Sequence, residues 1–462
     1  MASGGVFTSL SLRTYRWWFF GNLVANTGTW MQRIAQDWLV LKILTQGSGL
    51  EVGIVTALQF APSLLLGPYA GVIADRYDRR FVLQLTQVAA ALLSLILGGL
   101  VVFGHVQLWH VYVLAFALGV VAAIESPPRN IFVSELVPGR LVSNAVALNS
   151  ASFNAARMLG PAVAGVVIAL VGPGWVFFVN AASYLGPIVS LIVIRPSDLL
   201  PSTHVKAEKG QVREGIRYVK NRTDIIVIMA IACIVSTFGL NYQLTMGVMA
   251  TNVFHKGAGE FGLLGSIMAI GSVAGALNAA RRRYPKVRNV IIASFAFGFF
   301  AIGAALAPSY WIFALALIPV GFSSLTMITS ANAAIQLSVA PEVRGRVMSL
   351  YVMVFLGGTP LGSPLIGWVA DNISPRWSIA IGGIASLLVA VWAALWTKHT
   401  WNVRLTYSLL PPRVRVEGPR ERAQHIQDSQ DSSDSSADQA SNTAPSEKII
   451  AEDDPPKTAE ET

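Results

Sequence analysis

Asn22, Asn26, Thr29, Arg33 and Gln36 follow one another at intervals of four, three, four and three, with Asp37 beside the last. Such spacing sets polar side chains on one face of a helix. Arg33 and Asp37 stand four residues apart, where a helix lets opposite charges meet. Asp37 is the only acid well inside a long apolar run, and Glu125, the next candidate, lies near the end of its own. A carboxyl group shut away from water can keep its proton towards neutral pH, so this stretch offers reversible protonation. Two readings stay open for Arg33 and Asp37. They neutralise each other and fix packing, or they share a proton equilibrium with a water-filled cavity and act as a proton-coupling pair.

A second polar face accompanies the first. Ser143, Ser150, Asn154, Arg157 and Pro161 share one side of another apolar stretch. With about 1.5 Å of rise per residue, Arg157 lies about 21 Å and Arg33 about 24 Å from the same-side ends of their runs, so the two arginines reach similar depth. Asn26, Gln36, Asn154 and Arg157, with Asn241 and Gln243 of a later run, are the candidate substrate contacts. For Asn241 and Gln243, hydrogen bonding between helices is an equal alternative. Arginine keeps its charge when buried. The set Arg33, Arg157 and Asp37 is therefore net positive, which disfavours a lipophilic cation and suits a neutral or weakly anionic organic molecule.

Composition dictates the elements that must position these groups. The 462 residues are 53% hydrophobic and only 13% charged, far from the usage of soluble domains. Twelve apolar runs can be read, near 17–41, 52–73, 81–103, 109–127, 143–171, 175–194, 224–248, 260–280, 289–307, 310–331, 347–370 and 377–397. Each is of the length that crosses hydrocarbon as a helix. With the N-terminus inside, 29 of the 34 Lys and Arg fall on the cytoplasmic side; Lys42, Lys256 and Arg376 fall outside, and Arg33 and Arg157 within runs. That asymmetry follows the positive-inside rule. The net charge of +9 therefore speaks for a membrane surface and against nucleic acid. Cys233, the single cysteine, excludes an internal disulfide and a cysteine metal cluster, and no metal or cofactor is expected. The first run follows Arg13 and Arg16 and is too long for a cleavable leader.

The expected architecture is an all-α integral membrane protein of twelve transmembrane helices in two six-helix halves. A cytoplasmic N-terminus (1–16) precedes the first bundle (17–194). A basic linker (195–223) carries Val212, Ile216 and Val219 at helical spacing and reads as an amphipathic helix on the inner leaflet. The second bundle (224–397) ends in a polar tail (398–462) expected to be disordered. The halves match at an offset of 203: Pro138 with Pro341, Pro161 with Pro364, Arg79 and Arg80 with Arg282 and Arg283, and Asp75 with Asn278. Gly357-Gly358-Thr359-Pro360 and Gly362-Ser363-Pro364 read as a flexible or kinked segment.

Between the second and third runs lies Gly71-Val-Ile-Ala-Asp75-Arg76-Tyr-Asp78-Arg79-Arg80-Phe-Val-Leu83. Gly71 permits close helix packing, Asp75 can accept hydrogen bonds at a neighbouring helix N-terminus, and the arginines stay at the headgroups. This stretch resembles the signature between the second and third helices of the major facilitator superfamily, with Asp78 where the usual pattern has Gly. Gly160-Pro161-Ala-Val-Ala-Gly165 resembles the core of the fifth-helix motif of drug–proton antiporters, with Ala147 and Ala156 at its upstream glycine positions. Many members carry an arginine four residues before a glycine of the fourth helix. Ala115 stands there, before Gly119, so that arginine's role in proton transfer does not carry over.

The resemblance implies the major facilitator fold and the bacterial exporter branch that includes siderophore and macrolide efflux proteins. It implies export of small drug- or siderophore-like molecules by alternating access, coupled to proton entry. The expected setting is the inner (cytoplasmic) membrane with both termini cytoplasmic, the protein acting as a monomer. Uptake by the same fold, or a non-transporting sensor or scaffold, remains an alternative. A prenyl-transfer enzyme is disfavoured because the Asp-rich region that would hold magnesium diphosphate lies in the tail. The chain has no GxxxxGK[ST] phosphate loop for ATP-driven transport.

Overall fold

Backbone polar groups in hydrocarbon can be satisfied only by coiling the chain on itself or closing a barrel, and the apolar runs coil. The computed structural model describes residues 7–200, 211–281, 286–401, 404–407 and 414–417. The first half comprises α1 (Arg13–Trp38), α2 (Gly49–Arg76), α3 (Arg79–Val102), α4 (Leu108–Glu135), α5 (Val142–Val171), α6 (Pro173–Ser183) and α7 (Leu185–Val193), the last two forming one span. The linker helix α8 (Gln211–Lys220) follows. The second half comprises α9 (Thr223–Ile234), α10 (Tyr242–Val248), α11 (Ala258–Ala280), α12 (Val287–Ala305), α13 (Tyr310–Ser338), α14 (Pro341–Asn372) and α15 (Pro375–Trp401).

Among the described residues, eleven spans are long and apolar enough to cross a membrane. The twelfth, α1 with its continuation Leu39–Leu44, falls short in hydropathy because of its polar face, not its length. Large apolar side chains left on the outside, such as Leu92, Leu170, Phe299 and Leu388, match a lipid surround.

Among the described residues, two spans contain wide helical turns. At Thr45 the N–H reaches back five residues to Val40, and at Leu240 and Phe254 it does so to Val235 and Met249. The two in the seventh span flank α10, and the first of them releases Leu240 and Asn241 from helix. Wide turns of this kind recur at functional sites. The fourth helix departs from expectation in the other direction. Its apolar run was read as 109–127, yet α4 continues through Pro127 and Pro128 to Glu135.

The halves meet along two crossings, α2 with α14 and α5 with α11. A side-chain carbon on Gly53 would lie 2.3 Å from the Ser363 carbonyl, and one on Gly262 would lie 2.2 Å from that of Pro161. Only glycine admits backbones this close. Serines of the second half bridge each seam: Ser363 donates to Gly53 O at 3.0 Å and Ser266 to Met158 O at 2.6 Å. Pro161 and Pro364, which match at the offset of 203, thus sit at the two equivalent crossings. The segment read as flexible or kinked, 357–364, lies inside α14. The helix is continuous, and Gly362 packs against the Thr237 carbonyl of the seventh span.

Arg222 joins the linker to the second half. Its guanidinium donates to both Asp224 oxygens, at 2.9 and 2.7 Å, and to Ser338 O at 3.1 Å. Its hydrogen bonds to Asp224 raise its pKa further above the ordinary arginine value.

The tail expected from 398 onward is entered by α15, which runs to Trp401. In the unit beyond Ala393, β1 (Arg404–Tyr407) pairs antiparallel with β2 (Val414–Glu417). The rest of the tail, Arg282 and Arg283 lie outside the described residues.

Candidate functional site: a polar cavity in the first half

The polar face of α1 looks into a cavity of about 440 Å³ between the helices of the first half. Asn22, Asn26, Thr29 and Arg33 line it, with Gln87 of α3, Glu125 and Arg129 of α4, Asn154 of α5 and Asn180 and Tyr184 of the sixth span. It occupies the end of the bundle that carries the loop between α2 and α3. Near that end Tyr15, Trp18, Phe132 and Leu148 form a buried cluster that anchors α1 to α4 and α5.

At the cavity wall, Arg129 Nη1 donates to Glu125 Oε1 at 3.3 Å and Nη2 to Asn26 Oδ1 at 2.9 Å. Gln87 Nε2 donates to the same Glu125 oxygen at 2.9 Å. Deeper, Gln32, Ser94 and Asn180 bond to one another.

The floor is cationic and aromatic. Arg33 lies 4.8 Å from the Trp30 ring and 5.4 Å from Phe60, and Arg157 lies 5.6 Å from the same Trp30 ring. The expected ion pair between Arg33 and Asp37 is not formed. Helical side chains lean towards the N-terminus, which carries Arg33 over Trp30 and away from Asp37. Asp37 is 6% exposed and approaches Gln243 across the interface of the halves. Gln36 is buried with neither amide atom partnered, and Asn241 Oδ1 is likewise unpartnered while its Nδ2 bonds Thr237 O. Asn154 bonds the Ser150 carbonyl of its own helix. The sequence candidates therefore form two groups. Asn26, Arg33 and Asn154 line the cavity; Gln36, Asp37, Asn241 and Gln243 lie at the deep seam, and Arg157 connects the groups through Trp30.

The loop motif divides similarly. Arg79 pairs with Glu135, and Arg80 Nε donates to Leu191 O at 2.7 Å, so both tie the ends of first-half helices. Asp78 caps α3 through Phe81 N. Arg76 is exposed. The Asp75 side chain lies outside the described residues. Gly71, expected at a close packing, faces open space. Along α2 and α14, Gly49 meets Gly367 and Leu64 meets Gly357. In the fifth-helix motif, Gly160 meets Trp30 Cβ, Pro161 meets Gly262, and Gly165 meets Ala258 O.

At the far end, the Asp371 carboxylate of α14 receives Gly49 N at 2.6 Å, Leu50 N at 2.9 Å and Ser48 Oγ at 2.9 Å. A second-half acid thus caps the N-terminus of a first-half helix, where the helix dipole favours negative charge. Asn252 of the second half adds a bond to Gly47 O at 2.9 Å.

Residues 4–410 match the family model described as transmembrane secretion effector. The chain belongs to that family, within the major facilitator superfamily. Over 81% of its length the transporter is 25% identical to the staphyloferrin A transporter of Staphylococcus aureus, covering 94% of that protein. Over 80% it is 27% identical to the multidrug efflux pump Tap of Mycolicibacterium fortuitum, covering 93% of it. A bacterial homologue of the human lysosomal transporter Spinster superposes with a TM-score of 0.64 at 14% identity, with 82% of this chain and 96% of that one covered. The nucleoside transporter NupG gives 0.63 at 14% identity, with 84% and 100% covered. These likenesses establish the fold.

Arg129, Gln87, Gln32, Asn180 and Tyr184 were not among the sequence candidates. Arg129 escaped because the fourth run was read to end at 127, two residues before it. Gln87 and Asn180 are amides inside apolar runs, and that polarity was the available signal.

Proposed function

We propose that the transporter is a proton-coupled exporter of small organic molecules, working by alternating access across the cytoplasmic membrane. The observation that carries this reading is the one-sided join of the halves. The seams meet at the Gly49–Gly367 end, while the polar cavity lies towards the opposite end and the charged α2–α3 loop. That is the geometry of one state of an alternating-access cycle. The sequence's charge asymmetry supports a cytoplasmic face for the cavity end and both termini. The staphyloferrin A transporter and the multidrug efflux pump among its relatives support a small-molecule substrate, and the efflux pump supports the outward direction.

Asp37 is the proton-coupling residue in this reading. It is a buried acid on α1 touching the second half beside a wide-turn interruption, so gaining a proton there alters a contact between moving parts. Arg33 and Arg157, stacked on Trp30, hold positive charge beneath the cavity and favour a neutral or anionic substrate. Asn26, Gln36, Asn154, Asn241 and Gln243 supply hydrogen bonds on the path.

Reconstituted Asp37→Asn is the test. It retains substrate binding and downhill exchange but loses uphill export under an imposed proton gradient. Uphill export by this mutant at the wild-type rate removes Asp37 from the coupling role.

A further inference from the structure

Asn26, Gln87, Glu125 and Arg129 form a chain of hydrogen bonds with two loose ends. Charge decides how each amide points. Glu125 accepts, so Gln87 must turn its Nε2 towards it; Arg129 donates, so Asn26 must offer its Oδ1. This leaves Gln87 Oε1 and Asn26 Nδ2 buried with no hydrogen-bond partner, on residues 2% and 6% exposed. Leaving such atoms unmet costs about 1–3 kcal/mol each. The deeper amides Gln32 and Asn180 contrast with them, because they bond each other. Arg129 itself remains 24% exposed towards the cavity. Its two bonds leave most of its five N–H groups unused.

We propose that Arg129, Asn26 and Gln87 form a subsite for a substrate carboxylate bearing a hydrogen-bond donor on the adjacent carbon. The open atoms specify this chemistry. Arg129 and Asn26 Nδ2 require acceptors, and a carboxylate presents two oxygens to the guanidinium fork. Gln87 Oε1 requires a donor, which a hydroxyl or ammonium on the neighbouring carbon supplies. A neutral ester gives Arg129 weaker acceptors, and a lipophilic cation meets its charge directly. Glu125 holds Arg129 in position from the other edge. Across the cavity, Arg33, Arg129 and Glu125 leave one positive charge in excess.

The inference rests on the reading of this cavity as the transport site, and equilibrium binding separates the two. Full-length protein in lipid nanodiscs is titrated with malate, with succinate (no hydroxyl) and with dimethyl malate (no charge). Malate binds roughly fivefold or more tighter than succinate, and dimethyl malate fails to compete. Arg129→Gln weakens malate at least roughly tenfold, while Arg129→Lys restores part of the loss. Gln87→Met makes malate and succinate equal without weakening succinate. Unchanged thermal unfolding of each variant shows that folding is not what was lost. The subsite is overturned if wild type binds no malate, if dimethyl malate binds equally well, or if Arg129→Gln leaves malate unaffected. Proton-driven export of an efflux-compound panel is measured on the same preparations. Export without malate binding overturns the subsite alone. Malate binding that follows Arg129 and Gln87 without export upholds the subsite and overturns the exporter reading.

Discussion

Trp30 shares its ring between two arginines, and that arrangement governs charge at the cavity floor. Cation–ring contact in a low-dielectric setting is worth up to about 2 kcal/mol or more, so removing the ring frees both guanidiniums. Trp30→Leu should therefore raise the KM of a carboxylate substrate severalfold or alter its charge preference, and transport kinetics with matched anionic and neutral compounds will show it. An unchanged preference would mean that Arg33 and Arg157 do not act on substrate. These contacts were only partly legible in the sequence. Rise per residue put the two arginines at one depth, and the structure sets them on one ring. Spacing also suggested a bond from Arg33 to Asp37, because i,i+4 spacing is symmetric whereas the lean of helical side chains is not.

At the scale of elements, the join between halves depends on backbones that touch. A side chain at Gly262 would strike the Pro161 carbonyl, so Gly262→Val should force α5 and α11 apart and favour the state opened at that end. Spin-label distances between these helices should lengthen; an unchanged distance distribution would contradict the tight-crossing account. Asp371 holds the other seam by capping α2. Loss of a charged cap costs about 1–2 kcal/mol, a five- to thirtyfold shift in an equilibrium. Asp371→Ala should accordingly populate the opened state, while Asp371→Asn, which keeps acceptors, should shift it less. Equal behaviour of both mutants and wild type would show that the cap is passive. Apolar length and repeat spacing made the spans and the paired prolines readable. Asp371 was hidden because its partners lie more than 300 residues away, where no periodicity points. Arg129 was missed because apolar character fades after 127 while the helix runs on through Pro127 and Pro128 to Glu135.

Taken as a whole, the molecule joins two six-helix halves at one end and carries a polar cavity towards the other. Asp37 lies at the interface, not on the cavity wall. Moving the halves would change the surroundings of Asp37 and open the cavity to the opposite side together, which is how a proton gradient can drive a solute. The direct measurement is solute and proton flux in one preparation. Proteoliposomes of defined orientation are given a proton gradient directed inward with respect to the cell, and a panel of labelled efflux compounds is followed alongside internal pH. The account predicts that at least one compound moves outward against its own gradient while protons move inward, and that collapsing the gradient stops both. Solute movement with no proton flux, or protons and solute moving in the same direction, would contradict it.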